Sequence, residues 1–223
     1  MRMTWVKKME QELEGVALGR MHRWSFLAAV LVIGGLFSIL SENLTIGPSW
    51  ILLAIVAFLS IPLLLTVYFG QHVWTRILSL IMTGVLTLGL LSSVIFLVDS
   101  LFHHSANGLS LFRDAAVLWV SNVVMFGVWY WEIDQGGPIR RHVHKMQPTD
   151  FLFPQSTVEG ELWSNWKPSF VDYLFLAFNT STAFSPTDTL VMSRKAKVLM
   201  ITQSSISLVI VAVLAARAIN IIN

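Results

Sequence analysis

The sequence predicts an all-α polytopic membrane protein, with five transmembrane helices and one re-entrant half-helix before the last span. Three observations carry this expectation. Of the 223 residues, 55% are hydrophobic and 13% charged, against about 25% charged in ordinary soluble domains. Charge-free apolar runs long enough to cross a hydrocarbon core about 30 Å thick recur five times. Between the fourth and fifth lies "DYLFLAFNTSTAFSPTDT" (172–189), which begins like a span and turns polar after Phe178.

The five runs are 24–40, 50–69, 77–98, 115–131 and 198–216. The second follows Gly47-Pro48-Ser49, a helix-start signal, and carries Pro62, which removes one backbone hydrogen bond. Trp24, Trp50, Tyr68, Trp74, Trp129, Tyr130 and Trp131 mark span ends, as amphipathic rings do at the membrane–water interface. Before the first run, residues 1–23 place Met3, Val6, Met9, Leu13 and Val16 at helical spacing among charges. This fits an amphipathic cytoplasmic or interfacial segment. A solvated tail leading into the first span is the plainer alternative. No cleavable signal pattern is expected, because the first run is long and follows a polar stretch.

Orientation follows from the cations. With a cytoplasmic N-terminus, four crossings (region 24–131) return the chain to the cytoplasm at Glu132. Arg76, Arg140, Arg141, Lys145, Lys167, Arg194, Lys195 and Lys197 then lie inside, with only Arg113 and Arg217 outside. The loop 132–167 and the basic group 194–197 share a side, so the chain between them cannot cross. The region 168–223 is therefore a half-helix, a polar break and a last span, with the C-terminus external.

Ser169 and Asp172 have capping-box spacing. The helix they start meets Asn179, Thr180, Ser181 and Thr182, whose side chains compete for backbone groups. Ser185-Pro186-Thr187-Asp188 then reads as a new helix start. Irregular backbone at membrane depth is tolerated only inside protein or against water.

These residues resemble the C-terminal part of an uncharacterised bacterial membrane-protein family, a domain-of-unknown-function family grouped with the pore-loop cation channels. Asp172, Tyr173, Phe175, Phe178, Phe184, Asp188, Ser193, Arg194, Ser204 and Ser207 carry the likeness over the last third of the chain, and Phe151–Pro154 also fits it. Gln203 stands where a histidine is common. The resemblance implies a pore-type half-helix, an oligomer and a bacterial inner membrane. A more distant likeness, to the potassium-channel pore, aligns 182–187 with the selectivity filter. That segment has no glycine, and Pro186 fixes φ, so a ladder of inward carbonyls is not expected.

The expected function is an oligomeric, ion channel-like protein passing small monovalent cations with weak selectivity. Its expected lining is Asn179, Thr180, Thr182, Ser185, Asp188, Gln203, Ser204 and Ser207, beside the negative end of the half-helix dipole. The alternative is a non-conducting membrane protein that binds a protein partner or lipid, its hydroxyls and amides holding helices together.

Other chemistry finds little support. The chain has no cysteine and a formal charge of +2 spread in short groups, so thiolate sites are excluded and nucleic acid is not an expected partner. His142 and His144 with Asp134 or Asp150 suggest a metal only if a strand aligns them. Interfacial side chains are the favoured reading of that loop, and no metal or cofactor is expected. Gly136-Gly137-Pro138 is a turn signal. His103, His104, Arg113 and Asp114 read as a wet connection. No catalytic grouping stands out, and an enzyme is not expected.

Overall fold

The computed structural model describes residues 24–103, 108–138, 141, 149–158, 160, 163, 166–182 and 188–222. The expected segment 1–23, with His142, His144 and Ser185, lies outside the described residues. Within them the chain is all-helical apart from short turns and one two-residue strand pair. The helices are α1 (Trp24–Ile39), α2 (Ile51–Tyr68), α3 (His72–His103), α4 (Gly108–Ile133), α5 (Phe170–Thr182) and α6 (Arg194–Ile222). The strands β1 (Phe151–Leu152) and β2 (Leu190–Val191) pair antiparallel, Phe151 opposite Val191.

Four helices, α2, α3, α4 and α6, are long and apolar enough to cross a membrane. The first expected span is shorter. At 1.5 Å per residue α1 measures about 24 Å, less than the hydrocarbon thickness. It is nevertheless well packed, with Val30, Ile33 and Phe37 fully buried.

The chain reverses between α2 and α3 at Gly70, whose φ of 67° suits a residue without Cβ. The Gln71 amide there donates to the Thr66 carbonyl at 2.9 Å. Helix α3 buries several hydroxyls that donate one turn back, while that of Ser93 is buried without a partner. Ser79 bonds the Thr75 carbonyl at 2.7 Å and Thr83 the Ser79 carbonyl at 2.8 Å.

Helix α4 is the centre of the bundle and packs against α3, α5 and α6. Leu118, Phe126, Tyr130 and Trp131 are buried on it, and α1 reaches it by stacking Phe26 on Trp131 at 6.3 Å. Asp114, expected to be wet, is 1% exposed. It lies inside α4 rather than in a connection, and Arg113 covers its carboxylate at 2.9 Å. Gly127 sets the distance to α5, since a Cβ there would meet both the Cα and Cδ1 of Leu174 at 3.3 Å. A larger side chain would push α5 off α4.

Candidate functional site: the seat of the short helix

Helix α5 has 13 residues, about 20 Å of length. Its start is capped as the spacing predicts. The Asp172 carboxylate accepts from the Ser169 amide at 2.7 Å and from the Ser169 hydroxyl at 2.8 Å. The first turns lie at the α4–loop junction, where the Tyr173 hydroxyl donates to Asp134 at 2.5 Å. The last turn lies beside the middle of α4 and α6, where Ser181 meets Gln203, Ser207 and Asn122. By Leu190 the chain is back beside Leu152 of β1, near where α5 began.

The seat of that last turn is a connected polar network inside an apolar bundle. Gln203 Nε2 donates to the Ala177 carbonyl and to Ser181 Oγ, both at 2.7 Å. Its Oε1 accepts from the Tyr130 hydroxyl. Ser207 donates to the Ser181 carbonyl at 2.6 Å and accepts from Trp119 Nε1 at 3.1 Å. Asn122 Nδ2 lies 3.5 Å from Ser181 Oγ and 3.4 Å from the Gln203 carbonyl. Buried polar groups must be paired to be tolerated, and here pairing fixes the depth and rotation of α5.

The expected lining residues therefore divide. Gln203 and Ser207 are fully buried within the chain and spend their bonding capacity on α4 and α5. Asn179, Thr180 and Thr182 are half-buried on the α5 flank. Thr180 bonds the Leu176 carbonyl at 2.8 Å and Thr182 the Asn179 carbonyl at 3.1 Å. Ser204 is exposed, bonded to the Met200 carbonyl at 2.9 Å and 3.4 Å from the Thr180 carbonyl. Asp188 is exposed just before β2, at the loop end, away from this turn. The structure groups Gln203, Ser204 and Ser207 with the end of α5, and leaves Asp188 apart.

At the other end of α5 stands a cluster that sequence reasoning passed over as an interfacial loop. Asp134 is fully buried. It accepts from the Asp150 amide at 2.8 Å, the Phe151 amide at 3.3 Å and the Thr149 hydroxyl at 3.1 Å, besides Tyr173. Arg141 is buried beside it, Nε 4.0 Å from the carboxylate, Nη2 donating to the Trp131 carbonyl at 2.6 Å. Its guanidinium lies 4.8 Å over the Tyr173 ring. Lys195 then bridges Asp150 at 2.9 Å and the Ile133 carbonyl at 3.2 Å. Burial is the main reason the Tyr173 phenol stays protonated well above its usual range, with Arg141 opposing and Asp134 adding to the shift.

The turn Asp134–Gly137 makes this convergence possible. Gln135, Gly136 and Gly137 all adopt positive φ, at 51°, 77° and 101°. The non-glycine member is held by its amide, which donates to Asp150 at 3.2 Å. Trp166 packs edge-on against Phe153 at 5.7 Å. Among the described residues no group of three metal-binding side chains occurs.

Comparison of the chain with protein-family models, curated proteins and solved structures gives no match.

Proposed function

We propose that this multi-pass membrane protein works as an oligomer passing small monovalent cations with weak selectivity, along a path bordered by the end of α5 and the exposed edge of α6. In this reading α1 is a fifth, short span, α5 is a re-entrant half-helix entering from the cytoplasm, and the C-terminus is external. One observation supports it above the others. Helix α5 runs from the loop end to the middle of α4 and α6, and the chain has returned to β1 by Leu190. Such a helix aims its carbonyl end, and the negative end of its dipole, at mid-depth. Gln203 and Ser207 position that end rather than line the path. Asn179, Thr180, Thr182 and Ser204 are the groups left to face it.

Two measurements test this reading. The chain has no native cysteine, so Ser169→Cys and Ser193→Cys report side directly. Both should react with a membrane-impermeant thiol reagent from the cytoplasmic face only. Reaction of Ser193→Cys from outside alone would turn α5 into a full crossing and remove the half-helix. In liposomes, wild type should pass potassium and sodium at rates within about tenfold of each other, because hydroxyl and amide oxygens without a carbonyl ladder replace hydration incompletely. Thr182→Leu should abolish the flux. Wild-type vesicles no leakier than empty ones would end the pore reading.

A second reading has its own support. The polar groups deepest in the bundle, Gln203 and Ser207, are paired within one chain, as helix-joining groups are. A non-conducting protein that binds a partner or lipid would need nothing more from them. Absence of flux, with both cysteines still labelled from the cytoplasm, favours this second reading.

A further inference from the structure

We propose that the wedge between α1 and α2 holds one acyl chain of an anionic membrane phospholipid. A cavity of about 470 Å³ lies there, lined by Trp24 and Leu27 of α1 and by Ile61, Leu64, Leu65 and Tyr68 of α2. At the far end these helices are in close contact. A Cβ on Gly34 would stand 3.0 Å from Leu53 Cδ1 and 3.3 Å from Leu53 Cα. The space opens toward Trp24 and Tyr68, along the stretch where Pro62 removes a hydrogen bond from α2.

The chemistry of the wall selects the occupant. Its sides are hydrocarbon, so a polar or charged small molecule would lose its hydration there without compensation. A volume of this size falls within the range of ordinary ligand pockets. The wedge also faces outward, because Ile61, Leu65 and Tyr68 are among the exposed residues of α2. In a membrane that side is lipid, and a chain can enter sideways.

The headgroup end is marked as well. The Trp24 indole and the Tyr68 phenol, both exposed, stand together at one end of the wedge, as such rings do at headgroup level. Positive charge lies close to that level. Helices α2 and α3 run antiparallel, with Gly89 against Leu52, which places half-buried Arg76 about level with Leu65. A cation beside a headgroup favours an anionic phosphate ester.

The test uses the full chain, purified and stripped of lipid in detergent, with phosphatidylglycerol and phosphatidylcholine as the added probes. Native mass spectrometry counts retained lipid, and thermal unfolding reads the stabilisation. Phosphatidylglycerol should be retained by wild type and raise its Tm. Leu64→Trp, which fills the wedge, should lower retention roughly tenfold or more, with helix content confirming the fold. Arg76→Gln should keep total lipid binding but lose the preference for phosphatidylglycerol over phosphatidylcholine. Equal retention by wild type and Leu64→Trp overturns the proposal, and so does equal retention of the two lipids by wild type. A Leu64→Cys thiol that stays protected after complete delipidation means that protein, residues 1–23 or a second copy, fills the wedge, and overturns it too.

Discussion

Replacing Asp134 with alanine should destabilise the protein by about 3–5 kcal/mol, the range seen when one partner of a buried ion pair is removed. The size follows from what is left behind. Arg141 would keep its charge with its side chain 2% exposed. The amides of Asp150 and Phe151 and the hydroxyl of Tyr173 would lose an acceptor together. Asp134→Asn keeps one acceptor oxygen and should recover part of the loss. Equilibrium unfolding in detergent, followed by circular dichroism, measures both. A change under about 1 kcal/mol for the alanine variant, the scale of a surface ion pair, would show that the cluster does not hold the fold.

The contrast between this cluster and the helices shows what the sequence makes legible. Spans are local. The apolar runs 50–69, 77–98, 115–131 and 198–216 locate α2, α3, α4 and α6, because hydropathy is summed over contiguous residues. The helices extend beyond the runs, α3 to His72 and His103 and α6 to Arg194. Polar end residues can continue a helix after it leaves the apolar layer, so apolarity marks the layer and not the helix. The short helix α5 is legible, at its start, for the same local reason. Its capping box places the start at Phe170, whereas the "NTST" run, read as the break, stays helical to Thr182, its hydroxyls donating back to the helix's own carbonyls.

The loop-end cluster has no such local signal. Asp134 and Tyr173 are 39 positions apart, and the apolar residues between them, Phe151–Phe153 among them, show no helical or strand period. Strands of two residues are too short to show a pattern. Only the folded chain brings Asp134, Arg141 and Asp150 of that loop together with Lys195 of α6, so a stretch that reads as interfacial contains three buried charged residues. Asp114 illustrates the same limit. Read beside Arg113 and two histidines it looks solvated, yet helix geometry turns it inward while Arg113 stays out, with 53% of its side chain exposed. The residues surrounding the seat, Tyr130, Asn122 and Trp119, were legible only as span residues or interface aromatics. What identifies them is a partner on another helix.

Those two ends give α5 a mechanical role under either functional reading. The loop-end cluster ties its first turns to the α4 terminus and, through β1 and β2, to the start of α6. The Gln203 network ties its last turn to the middle of both long helices. A short helix cannot supply this rigidity from its own backbone, since isolated helices of its length are marginal. Its order is tertiary.

Substitution at Gln203 separates that supporting role from conduction. Gln203→Leu removes three hydrogen bonds, from the Tyr130 hydroxyl and to the Ala177 carbonyl and Ser181 hydroxyl. Inter-helix bonds in membranes average about 0.6 kcal/mol each, so the bonds alone account for roughly 2 kcal/mol. The Tyr130 hydroxyl is buried and would keep Thr180 as a partner, while the Ala177 carbonyl and Ser181 hydroxyl lose a donor. The loss should therefore be at least about 2 kcal/mol. Ser204→Leu is one residue away and should behave oppositely. Its hydroxyl is exposed and mainly bonded to its own helix, so stability should shift by no more than about 0.5 kcal/mol. If α6 borders a cation path at Ser204, that variant should lose flux while remaining as stable as wild type. If both variants lower stability equally, Ser204 belongs to the seat. If Ser204→Leu changes neither stability nor a measurable wild-type flux, the path does not pass this face of α6.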